Sequence, residues 1–127
     1  MRNEPATPVA VTLPATAGAS AQARRLVGEA VATWGMSPDV AEDAALVVTE
    51  LVSNAVDHAS GPLELTVSRT PQGIRIEVAD QSPTMPQPRP VEVESARGRG
   101  LIIVAALSQD WGTSPTGTGK TVWAELA

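Results

Sequence analysis

The chain has 127 residues, with 9 Lys+Arg against 14 Asp+Glu and a formal net charge of −5. That length fits one domain able to bury roughly two-thirds of its unfolded surface. The absence of cysteine excludes disulfides and thiolate sites, the single histidine excludes a multi-histidine zinc site within the chain, and one lysine in an acidic chain argues against nucleic-acid binding.

Residues 1–7 are polar and are expected to form a flexible N-terminus ahead of a single domain over 8–127. Val9, Val11 and Leu13 alternate as a strand closed by Pro14. From Ala21 the apolar stripe Leu26, Val27, Ala30, Val31, Trp34 predicts a helix that Gly35 ends. Ser37 as cap and Pro38 at the first helical position start a second helix to about Ala59, stopped by Gly61-Pro62. Leu63, Leu65, Val67 and then Ile74, Ile76, Val78 alternate as two strands around the turn Pro71-Gln72-Gly73. Residues 81–97 hold four prolines and no apolar period, which predicts a binding loop or lid of unusual length. Leu101 to about Ser108 reads as an apolar helix, and Trp111–Thr113 and Thr121–Leu126 read as strands around a turn at 116–119. The longest apolar run, Leu101–Leu107, is far short of the roughly 20 residues that span a bilayer, and the start MRNEPATPVAV lacks the apolar centre of a signal peptide. A cytoplasmic location without a membrane partner is therefore expected. The order β-α-α-β-β-loop-α-β-β predicts an α+β two-layer sandwich: a mixed, mostly antiparallel sheet with helices on one face.

Three places could carry chemistry. Glu50, Asn54, Asp57 and His58 fall within about 100° of arc on the second helix. A carboxylate there could take a proton from a nucleophile, and an amide oxygen could ligate magnesium. The plainer reading is the solvated face of an amphipathic helix. Asp80 ends a strand before the long loop, where a carboxylate could accept hydrogen bonds from a ligand amine or simply start a turn. Gly98-Arg99-Gly100-Leu101 enters a helix, where close backbone approach and free N–H groups suit phosphate, although glycines are ordinary at such junctions. Gly117-Thr118-Gly119-Lys120-Thr121 imitates the end of a P-loop. The required earlier glycine is Ser114, and a strand rather than a helix follows, so a hairpin turn is the better reading.

In this order the motifs resemble the GHKL, or Bergerat, ATP-binding fold of gyrase-type ATPases, histidine kinases and anti-sigma factor kinases. Glu50-Leu-Val-Ser-Asn54-Ala-Val-Asp-His58-Ala looks like the N box, Gly98-Arg-Gly-Leu-Ile-Ile-Val like the second glycine box, and Gly119-Lys-Thr121-Val-Trp-Ala-Glu-Leu like the closing strand. The absence of a dimerising phosphoacceptor helix or a second domain points to the anti-sigma factor serine/threonine kinases, and to the small stand-alone ATP-binding regulators of actinobacteria. The resemblance implies ATP and Mg2+ as cofactors. Asn54 would hold magnesium, Glu50 would be the general base, and Asp80 would bind the adenine amine. Gly98, Arg99, Gly100 and Leu101 would cradle phosphates, Thr121 would assist at the base, and His58 sits at the histidine position of the N box.

The implied partners are an antagonist protein with a phosphorylatable Ser/Thr and a sigma factor or similar regulator, with homodimerisation left open. The family's first glycine box reads roughly D-x-G-x-G, whereas here Asp80 is followed by Gln81-Ser82-Pro83-Thr84. Pro83 fixes a backbone angle where glycine gives freedom. The alternative function is therefore a non-catalytic, nucleotide-gated protein-binding module. A free-standing ATPase and a histidine kinase fit less well.

Overall fold

Apolar side chains at every second strand position build one face of a five-stranded sheet in the computed structural model, which describes residues 8–58, 61–81, 101–117 and 119–127. The strands are β1 (Val9–Leu13), β2 (Leu63–Arg69), β3 (Ile74–Asp80), β4 (Asp110–Pro115) and β5 (Lys120–Leu126), in the spatial order β1-β2-β3-β5-β4. The helices are α1 (Ala19–Thr33), α2 (Pro38–His58) and a short α3 over residues 101–107. The expected flexible N-terminus and most of the proline-rich segment lie outside the described residues.

The two-layer sandwich is present, and its four strand pairings are all antiparallel. The parallel component of the expected mixed sheet does not occur among the described strands. The connections explain why. β2–β3 and β4–β5 are hairpins, which enforce antiparallel pairing. Two helices, rather than one, join β1 to β2, so the chain crosses the sheet twice and returns antiparallel. β3 and β4 share a direction, but β5 lies between them.

α1 ends as its sequence predicts. Gly35 adopts φ 67°, Met36 N donates to Val31 O at 3.0 Å, and Gly35 N donates to Ala32 O at 3.1 Å. These two bonds satisfy carbonyls that the helix end leaves unpaired, and left-handed backbone is open to glycine without steric cost. α2 starts on its predicted cap, with Val40 N donating to Ser37 Oγ at 3.3 Å. Both hairpins open on threonine: Gly73 N donates to Thr70 Oγ1 at 2.9 Å and Gly119 N to Thr116 Oγ1 at 2.8 Å.

The core is aliphatic, as a chain without Phe or Tyr requires. Leu51, Leu63, Leu65, Ile74, Ile76 and Leu126 are its largest fully buried side chains. α1 lies over β1 and β2, and α2 over β2, β3 and β5. α3 inserts Val104 and leads into the edge strand β4. Among the described residues, the other face of the sheet carries no helix. There Arg75 stacks 4.2 Å over the Trp123 ring and pairs with Glu77 at 2.6 Å and Glu125 at 2.7 Å. Burial works against the Arg75 charge, but the hydrogen bonds to both glutamates outweigh it and raise its pKa.

Candidate functional site

The phase of β3 decides what its last residue does. Ile74, Ile76 and Val78 point into the core, so Asp80 points to the same side, toward the helix layer. It is the one fully buried polar or charged residue among those described. Its strand partner is Lys120, and the Lys120 ammonium lies 2.9 Å from Asp80 Oδ2. The two side chains are 1% and 13% exposed. A carboxylate so buried requires a partner, because desolvation of a lone charge costs several kcal/mol. Gly119 permits the arrangement. A Cβ on Gly119 would lie 2.1 Å from Asp80 O, so any larger residue would push the start of β5 away from β3.

α2 delivers the second wall. On its α1 flank, Ser53 and Ser20 share a hydrogen bond of 3.0 Å, and Arg24 Nη1 donates to Thr49 Oγ1 at 3.1 Å. At about 100° per residue, Glu50, Asn54 and His58 progress around to the opposite flank. All three are half-buried, whereas Asp57 is exposed. A purely solvated stripe would leave all four open, so three of them belong to a partly covered wall. The Asn54 amide makes no hydrogen bond to another described residue and is available to a ligand. His58 closes α2 at the end of the domain where β2 begins and β3 ends, which is the Asp80 end.

The structure therefore brings Asp80 and the half-buried flank of α2 to the sheet face that carries the helices. It does not bring Thr121 there. Val122, Ala124 and Leu126 are buried, so Lys120 shares their face and the Thr121 side chain alternates to the other. Thr121, expected to assist at the base, thus lies on the sheet face opposite Asp80, and the residue of β5 facing that carboxylate is Lys120. Period-2 alternation in β5 carried this signal. Of the phosphate-cradle residues, Gly98, Arg99 and Gly100 lie outside the described residues, and Leu101 is the first described residue of α3, half-buried. Gly119 belongs to the β4–β5 hairpin and Lys120 to a strand, consistent with rejecting the P-loop.

Among the described residues no cluster of three or more His, Asp or Glu could hold a metal. Magnesium bound by one amide together with phosphate oxygens and water needs no such cluster. The residues present fit the nucleotide that the resemblance implies: a buried acceptor at the strand end and, on the facing helix, an amide with no hydrogen bond to another described residue. A cavity of about 230 Å³ bordered by Trp34, Met36, Val40 and Arg69 lies at the opposite end of the sheet and includes none of these residues. No described helix is long and apolar enough to cross a membrane.

The sequence profile of the histidine kinase-like ATPase domain matches residues 13–126. The chain belongs to that family. Among solved structures, it is similar to the RsbU and RsbW domains of Rv1364c from Mycobacterium tuberculosis, with 23% identity and a TM-score of 0.72. That likeness covers 94% of this chain and 32% of the other, so this chain spans about a third of the length of the solved chain it matches. At this identity the match concerns the fold. No curated protein gives a significant sequence match.

Proposed function

We propose that this domain binds ATP with magnesium and phosphorylates a serine or threonine of a small antagonist protein, as a regulator of the anti-sigma factor type that also binds a sigma factor or similar protein. The observation that carries the reading is the buried Asp80 carboxylate at the end of β3, facing the helix layer to which α2 contributes Glu50, Asn54 and His58. Family membership and the fold shared with a protein described as holding an RsbW domain support it.

In this reading Asp80 accepts from the adenine amine. Asn54 is the protein's ligand to magnesium, which when bound neutralises phosphate charge. His58 borders the same wall, and Gly98, Arg99, Gly100 and Leu101 serve the phosphates. The partner's hydroxyl oxygen bonds to the terminal phosphorus as the bond to the bridging oxygen breaks. The hydroxyl proton passes to the Glu50 carboxylate, and ADP leaves. Such a base contributes about 10²–10⁴-fold to rate and little to ground-state affinity.

A second reading, the nucleotide-gated binding module, is favoured by one observation: Asp80 is followed by Gln81-Ser82-Pro83-Thr84 in place of the two glycines. The deciding experiment incubates the protein and its Glu50→Ala variant with labelled ATP and a lysate from its source. The kinase reading expects one labelled partner, and loss of label in a variant that still binds ATP. A partner that binds only with ATP and never takes up label would replace it with the gated module.

A further inference from the structure

Lys120 is the chain's single lysine; the other eight basic residues are arginines. It stands at the first position of β5 against a carboxylate that is 1% exposed. The inward phase of β5, its register with β3 and the close approach at Gly119 each hold it there.

We propose that Lys120 is a second base-reading residue of the nucleotide site. The Asp80–Lys120 pair would present an acceptor and a donor side by side, and would read the amine and the adjacent ring nitrogen N1 of adenine together. This inference rests on the nucleotide reading above and makes base selection a property of the pair. An ammonium has three donors and no acceptor, and one of them reaches Asp80 Oδ2 at 2.9 Å. The remaining donors suit a ring nitrogen. An ionised carboxylate has about four acceptor positions, so accepting from Lys120 does not exhaust it. Adenine offers the complementary order, an amine donor beside a ring acceptor. A compact ammonium on a flexible stem can adjust its second and third contacts here, where the planar fork of arginine would not. Lys120 thus acts in both states: without nucleotide it neutralises Asp80, and with nucleotide it shares Asp80 with the base.

The test uses the full chain with magnesium and compares ATP with 1-deaza-ATP, which lacks the N1 acceptor, in the wild type, Lys120→Met and Lys120→Gln. The wild type is expected to bind ATP about tenfold or more tightly than 1-deaza-ATP, the ratio that a hydrogen bond to a charged group supplies. In Lys120→Met the two affinities should become equal, and Lys120→Gln, a neutral donor, should retain part of the ratio. A lysine with only a structural role would weaken both nucleotides alike and leave the ratio unchanged, which overturns the proposal. Equal binding of both nucleotides by the wild type overturns it without any variant, so poor folding of Lys120→Met cannot protect it. A wild type that binds neither nucleotide removes the nucleotide reading itself, an outcome distinct from a lost ratio.

Discussion

Replacing Lys120 with methionine keeps most of the side-chain volume and removes the charge. Asp80 then remains 1% exposed with its ammonium partner gone. Breaking a buried ion pair from one side costs about 3–5 kcal/mol, because the remaining buried charge loses its counterion. Lys120 is itself 13% exposed, so water can approach the carboxylate, and the low end, about 3 kcal/mol, is expected. For a domain of this size that lowers Tm by about 10 °C. The double variant Asp80→Asn/Lys120→Met removes both charges and should recover most of the loss, giving a coupling energy of about 2 kcal/mol. Urea denaturation of the wild type, both single variants and the double variant measures the cycle. A Lys120→Met variant within about 0.5 kcal/mol of the wild type, the ordinary scatter of surface substitutions, would refute the argument that Asp80 depends on this partner.

Other consequences follow from single positions. Asn54→Ala should abolish the gain in ATP affinity that magnesium gives, seen by calorimetry with and without the metal; an unchanged gain would remove Asn54 from the metal's coordination. Thr121→Val should leave ATP affinity within about twofold, since its side chain faces away from Asp80 and surface changes of that kind stay within about 0.5 kcal/mol; a tenfold loss would restore the residue to the base site. Leu51→Ala, at a fully buried core position, should cost about 2–5 kcal/mol by chemical denaturation, and a cost below 1 kcal/mol would mean that α2 is not packed as described.

The sequence was most legible where local chemistry and periodicity agree. Ser37-Pro38 marked the start of α2, Gly35 the end of α1, and alternating aliphatics marked β1, β2, β3 and β5. α1 starts at Ala19, two residues ahead of the periodic reading, because Ala19 and Ala23 extend its buried stripe while Gly18 offers no side-chain cap to announce it. β2 runs on to Arg69 because the Thr70–Gly73 turn holds the strand ends together, a tertiary effect that alternation alone does not reveal. In the site, Asp80 was visible as a carboxylate at a strand end. Its pairing with Lys120 depends on the register of two strands forty residues apart in the chain, which no local pattern encodes. Lys120 stands inside a false P-loop pattern, yet its phase with Val122, Ala124 and Leu126 places it on the core side.

The most direct measurement is a calorimetric titration of the full chain with ATP and, separately, with GTP, both in magnesium. One ATP site per chain is expected, bound at least about tenfold more tightly than GTP, the discrimination that one charge-assisted hydrogen bond to the adenine amine supplies. No heat with ATP, or equal affinity for the two nucleotides, would contradict it.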